Sequence, residues 1–342
     1  MSKKMNLAGL LDICRQREEN HSDRVVALSS LSMDANHPGN LIVKRGSEAT
    51  SEIYPLQEHV YRLVSRVIPD IPAGYLEKCA EKAPDLAARN FNHWVSESKP
   101  KDVLLRFTKI KDIQHVRAML PSSWKPFPYE NMIGHLIKTW GSDKEATVSQ
   151  FTDLGISVDI TNGTIDRKAY PGDDIAWGNR FRDSDVGFGN LIVCPYTLRL
   201  VCTNGAVSVK EGYGVNFSHT DKAFDDRKTL IEEIGNGIQS ISNYAHMIGL
   251  QVEKAASIHL NDVDEAFERI NKKFTVTKLE AENANDGWDE EETLPDTVYK
   301  LAQAYTRGAN SGEFDDRVES RFKLQHIGGQ ILQLAFNNYS FN

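Results

Sequence analysis

Hydrophobic and polar positions change their spacing three times along this chain. At the start the periods mix. Asn6 to Glu19 follows helical spacing, whereas Arg24–Ser29 and Asn40–Arg45 alternate with the period of strands. Pro55 to Val67 places Leu56, Val60, Leu63, Val64 and Val67 on one stripe, which predicts a helix with Pro55 in its first turn. Ala73–Lys82 and Pro84–Ser96 predict two further helices, Asp102–Lys109 and Asp112–Leu120 two strands, and Pro128–Trp140 another helix. The middle then turns to β. Gly155–Ile160 and Thr164–Tyr170 flank Thr161-Asn162-Gly163, and Tyr196–Cys202 and Ala206–Lys210 flank Thr203-Asn204-Gly205. Asn-Gly supports the positive φ values of a tight hairpin, so both are read as turns. Asp174–Arg182 and Gly189–Cys194 add two more strands.

From about Asp221 to His259 the spacing is helical again. Ile231, Ile234, Ile238, Ile241, Ala245, Ile248, Val252 and Ala255 recur at alternating intervals of three and four. Such a seam is either a core helix lying across the sheet or a subunit contact. Pro295–Arg307 and Asp315–Phe336 predict two closing helices. The expected fold is therefore α+β: a central antiparallel sheet with Asn-Gly hairpins in a β-β-β-α core, packed by one long helix, with helical N-terminal and C-terminal parts. The expected divisions are residues 1–145 (mixed α/β), 146–275 (sheet and long helix), 276–293 (an acidic linker) and 294–342 (C-terminal helices).

Charge sharpens this division. The chain has 342 residues and a net charge of −8. Residues 1–150 carry +3, residues 151–230 carry −2 and residues 231–342 carry −9. Much of that excess lies in Glu280–Glu292, EAENANDGWDEEE, which reads as a solvated linker or as an acidic flap over a basic groove. No apolar run approaches the roughly 18 residues of a transmembrane helix, and the first twenty residues lack the apolar stretch of a signal peptide. Cys14, Cys79, Cys194 and Cys202 show no Cys-x-x-Cys spacing, which argues against a zinc site or a secreted disulfide framework. A cytoplasmic protein without cofactor is expected.

Catalytic motifs are scarce. There is no Gly-x-Ser-x-Gly elbow and no phosphate-binding Gly-x-x-x-x-Gly-Lys-Ser/Thr loop, so an enzyme is the weaker expectation. His219, Asp221, Asp225 and Asp226 gather before the long helix, where they suit either helix capping or a divalent metal in a nuclease-like site. Binding has better support. Arg167, Lys168, Arg180, Arg182, Arg199 and Lys210 are interleaved with Trp177 and Tyr196 across the β region. Cations for phosphates and flat rings for bases are what a single-strand groove requires. In that reading Arg180, Arg182 and Arg199 hold phosphates, and Trp177 and Tyr196 stack on bases.

Several segments resemble a known family. Leu191 to Gly205, reading LIVCPYTLRLVCTNG, is similar to the hallmark segment of the DUF932 phage/plasmid-like proteins. Pro55–Gln57 through Asn92–Trp94, Val116–Leu120 followed by Asn131, and Thr297 through Arg307 resemble its other segments. Two positions depart from it: Trp124 replaces the usual Tyr, and RFRDSDVG at Arg180–Gly187 replaces an Asn-Ser start before the acidic-Val-Gly. The resemblance implies residence on a phage or mobile element in a bacterial host and brings no catalytic residues. The β-β-β-α order also resembles Rad52-like annealing proteins, which form rings. Together these imply an oligomeric phage-type protein that binds single-stranded DNA in recombination or strand annealing. A host-takeover or anti-defence protein acting by protein–protein binding is the alternative, and a metal-dependent nuclease the third.

Overall fold

A computed structural model describes residues 3–45, 51–165, 169–170, 174–199, 204–207, 214–314 and 318–341. The N-terminal elements are β1 (Lys3–Asn6), α1 (Leu7–Glu18), β2 (His21–Ala27), β3 (Leu31–Met33), β4 (Asn40–Lys44) and β5 (Ser51–Pro55). These are followed by α2 (Val60–Val67), α3 (Tyr75–Lys82), α4 (Pro84–Glu97), β6 (Asp102–Ile110), β7 (Ile113–Pro121) and α5 (Tyr129–Trp140). Pro55 ends an edge strand instead of opening a helix. The amides of Leu56 and Gln57 bond to Gly39 and Val116, which keeps these residues between two sheets, and a turn at Glu58 and His59 then leads into α2.

The central sheet uses β8 (Glu145–Thr152), β9 (Gly155–Thr164), β10 (Ile175–Asp183), β11 (Leu191–Arg199), β12 (Asn204–Val207) and β13 (Val215–Phe217). Its order is β1-β8-β9-β10-β11-β12, with β13 also on β11, and every pairing is antiparallel. Two smaller antiparallel sheets, β2-β6-β7 and β3-β4-β5, enclose a separate apolar cluster with α2, α3 and α4. The fold is α+β with a central antiparallel sheet.

Neither Asn-Gly pair sits where a hairpin turn was expected. Asn162 and Gly163 continue β9, and Gly163 pairs with Trp177. A side chain at Gly163 would meet the Trp177 indole nitrogen at 3.2 Å, so the glycine makes room for the ring. Asn204 and Gly205 open β12 and pair with Arg199 and Leu198. The intervening residues 200–203 lie outside the described residues.

One long helix, α6 (Arg227–Ser257), follows the sheet, with Asp226 accepting from the Lys228 amide as its N-cap. Leu230, Ile234, Ile238 and Ile241 pack on the central sheet with α1 and α5. Further along, Tyr244, Ile248, Val252 and Ala255 pack among the closing helices. Of the seam, Ile234, Ile238, Ile241, Ile248, Val252 and Ala255 lie inward, Ile231 is half-buried, and the Ala245 side chain lies outside what is described.

The acidic run is not a linker. It forms most of α8 (Lys278–Glu290), which follows α7 (Val263–Lys273) and precedes α9 (Val298–Gly308) and α10 (Val318–Phe336). A capping box between Thr277 and Glu280 starts α8. Cations from elsewhere answer its charges: Lys323 pairs with buried Glu280, Arg307 with Glu290 and Arg199 with buried Glu291. Gly287 and Gly308 let α8 and α9 cross at close range. A Cβ at Gly287 would stand 2.3 Å from the Ala304 carbonyl oxygen, and one at Gly308 would stand 2.4 Å from that of Asn283. Gly287→Ala is expected to force the two helices apart and lower stability by about 1–3 kcal/mol. Urea unfolding checks this, and an unchanged midpoint would show that the crossing tolerates a methyl group.

Candidate functional site

The decisive geometry lies at the end of β10. Successive side chains of a strand face opposite sides, so Arg180 and Arg182 share one face of the sheet while Phe181 and Asp183 share the other. The arginine face was expected to be open. It is instead covered by α10. Arg180 donates to both oxygens of Asp159, at 2.5 and 2.7 Å, and also to Gln325; its guanidinium lies 4.6 Å from the Tyr196 ring centre. Burial opposes charge on Arg180, but the Asp159 carboxylate outweighs it and raises the pKa further. Arg199 is buried against Glu291. Tyr196 is buried beneath Phe322, and Trp177 is half-buried over Gly163. These side chains do not form an open cation–aromatic face, because neutralising a buried guanidinium requires an internal carboxylate. Arg167, Lys168 and Lys210 lie outside the described residues. Cys194 belongs to the same face, and burial pushes its thiol up to about 12.

Arg182 differs from its neighbours. Its guanidinium is 8% exposed and donates at 2.5 Å to Glu319 near the start of α10, yet Glu319 is 62% exposed. Phe322 supports the guanidinium from one side at 4.5 Å. Two cavities meet at Arg182. One, of about 490 Å³, is walled by Arg62, Glu77, Phe188, Gln150, Arg182 and Glu319 among others. Arg62 bonds to Glu77 there and lies 5.8 Å from the Phe188 ring. The second, of about 250 Å³, is lined by Arg180, Arg182 and Arg321 with Ser149, Ser157 and Phe322, and no carboxylate lines it among the described residues. Both share Gln150 and Arg182.

On the other side of β10, Asp183 and Asp185 anchor the turn that closes the cleft. Asp185 is fully buried and takes two hydrogen bonds from Arg117, at 2.6 and 2.8 Å, and one from the Tyr129 hydroxyl at 2.9 Å. Arg106 bonds to the Asp185 carbonyl and, at 2.9 Å, to Asp23. Burial would raise the carboxyl pKa, but Arg117 and Arg106 hold it well below the ordinary range. Val186 packs beneath with Leu63, Leu120 and Trp124. Gly187 then turns at φ +94°, where a Cβ would stand 2.6 Å from Leu120.

His219 faces Asp183 and not the carboxylates beside it in sequence. Its Nε2 lies 2.7 Å from Asp183 Oδ1, its Nδ1 lies 2.9 Å from the Lys125 carbonyl oxygen, and its ring stacks on Trp124 at 4.3 Å. Asp221 accepts from the Ser218 amide, Asp225 pairs with Lys125, and Asp226 caps α6. These four therefore serve local structure and do not converge on a metal. Among the described residues, Glu18, His21 and Asp185 do bring donor atoms within 4.8 Å of one another. Arg117 already occupies that position, donating to His21 at 3.1 Å as well as to Asp185.

Sequence reasoning missed Asp183, Asp185, Arg117, Arg62 and Glu319. The readable signal was RFRDSDVG itself, with two carboxylates after two arginines and a glycine at the turn. No family model, curated protein or solved structure matches the chain. Among the described residues, no helix is long and apolar enough to cross a membrane.

The two carboxylates give stability opposite pH limits. His219 has acceptors at both nitrogens, so it favours the doubly protonated ring. Burial would lower its pKa, but Asp183 and the Lys125 carbonyl raise it. Burial also raises the Asp183 pKa, so the pair keeps its shared proton to higher pH. The contribution of His219 is full below its ordinary pKa of about 6.5 and is lost as pH rises through the higher folded value. That of Asp185 is present above about 3.9 and is lost as pH falls towards its depressed folded value. Chemical unfolding across pH should show both limbs, and His219→Gln combined with Asp183→Asn should flatten the alkaline limb alone. An alkaline limb that persists in this double variant would contradict this assignment.

Proposed function

We propose that the chain binds a small phosphate-bearing ligand, either a nucleotide or the phosphorylated end of a single nucleic-acid strand, in the cleft beneath the start of α10. One observation carries this reading: Arg182 stands between the two cavities, with Arg180 and Arg321 beside it on the wall of the smaller one, and its carboxylate partner Glu319 is exposed. The cavity of about 490 Å³ lies within the range of about 300–1,000 Å³ typical of small-molecule sites. Guanidinium groups match phosphate geometrically as well as electrically. Phe188 offers an aromatic edge of the cleft, and Gln150 and Ser184 offer polar contacts.

The paired state of Arg180 and Arg199 favours one or two local phosphate contacts over a groove that tracks a long strand.

Fluorescence anisotropy with a 5′-phosphorylated oligothymidylate, the same strand ending in a hydroxyl, and thymidine monophosphate as competitor tests the proposal. The phosphorylated strand should bind more tightly than its hydroxyl-ended counterpart, and the monophosphate should displace it. The slope of log K against log salt should be shallow, near −0.7 per phosphate contacted. Arg182→Gln should weaken binding by roughly tenfold, the value of one charge-assisted contact. If neither phosphorylated probe binds at low salt, this function is wrong.

A further inference from the structure

We infer that Glu319 is a built-in competitor for the ligand site, occupying Arg182 until a phosphate-bearing ligand displaces it. The inference rests on the reading that Arg182 receives the ligand's phosphate. It begins from a contrast among three ion pairs on one sheet. Arg180 and Asp159 are each 3% exposed, and Arg199 and Glu291 are 5% and 3% exposed. In both pairs the carboxylate is enclosed, so moving it would strand two charges away from water. Arg182 is equally enclosed, but its partner is not: Glu319 is 62% exposed and stands at the edge of the larger cavity.

Displacing Glu319 is therefore inexpensive. Its carboxylate needs only a rotamer change to reach solvent, where water replaces the lost hydrogen bond. Arg182 has no such freedom. Phe322 lies against its guanidinium, and only 8% of its side chain is exposed. The cation is held in place while its counter-ion is loose, an arrangement suited to exchange of one anion for another.

The ligand must then provide an anionic group that is a better partner than a monodentate carboxylate. A phosphate monoester meets this condition, because it carries more charge and can bond both forks of the guanidinium. In the absence of ligand, Glu319 spares Arg182 the cost of standing unpaired in a buried site.

Binding of the 5′-phosphorylated oligothymidylate to wild type, Glu319→Gln, Arg182→Gln and the double variant tests the inference. Glu319 is exposed, so Glu319→Gln is expected to fold as wild type does, with thermal unfolding as the check. Glu319→Gln should bind roughly twofold to fivefold more tightly, the value of releasing one partly exposed ion pair. The double variant should be as weak as Arg182→Gln alone. If wild type binds and Arg182→Gln weakens it while Glu319→Gln leaves affinity unchanged or lower, the competitor role fails and the phosphate site stands. If neither wild type nor Glu319→Gln binds, the phosphate site itself falls, and the competitor role with it.

Discussion

The Asp185 carboxylate, with no access to water and Arg117 bonded to both its oxygens, is the contact on which the rest of the architecture depends. Four parts of the chain meet there. Arg106 comes from β6, Arg117 from β7, Tyr129 from α5, and Asp185 from the turn after β10. The small N-terminal sheet and the central sheet have separate apolar cores, and this polar joint fixes one against the other. A buried ion pair adds little net stability compared with apolar residues of the same shape, whereas removing one partner strands the other. Its value here is directional, since a fork of hydrogen bonds sets an orientation that apolar contact alone leaves loose.

The cleft follows from that joint. Asp185 fixes the turn, Gly187 reverses it, and Phe188 is placed on the cavity wall opposite α10. On the other face of the same strand, Arg180 and Arg182 point beneath α10. One arginine is locked to an internal carboxylate and the other to an exposed one. The end of β10 and the turn after it thus build both the anion position, at Arg182, and the rigid joint, at Asp185 three residues later.

Much of the fold was legible because it rests on local signals. The helical periods of α3, α4 and α5 and the alternation of β4, β6 and β7 appear within one or two residues of their observed bounds, whereas α6 begins six residues later, and β2 three residues earlier, than the periodicity suggests. Elements set by distant contacts were not legible. Leu191 to Arg199 reads as two strands broken at Pro195, yet β11 runs through that proline, paired with β10 along its length. Residues 280–292 read as a solvated acidic run because their counter-charges, Arg199, Arg307 and Lys323, are 17 to 92 residues away. The candidate site shows the same limit. Interleaved arginines and aromatics mark β10 and β11, but pairing with Asp159, Glu291 and Glu319 separates the enclosed cations from the one with an exposed partner. That pairing has no signature in spacing.

A double-mutant cycle between Arg117 and Asp185 tests the central claim most directly. Arg117→Met, Asp185→Asn and the combined variant would be compared with wild type by chemical unfolding at neutral pH. Each single change should cost about 3–5 kcal/mol, and the pair should cost far less than their sum, with a coupling of about 3 kcal/mol. Strictly additive losses would show that the two residues stabilise the protein independently, and that the joint between the sheets lies elsewhere.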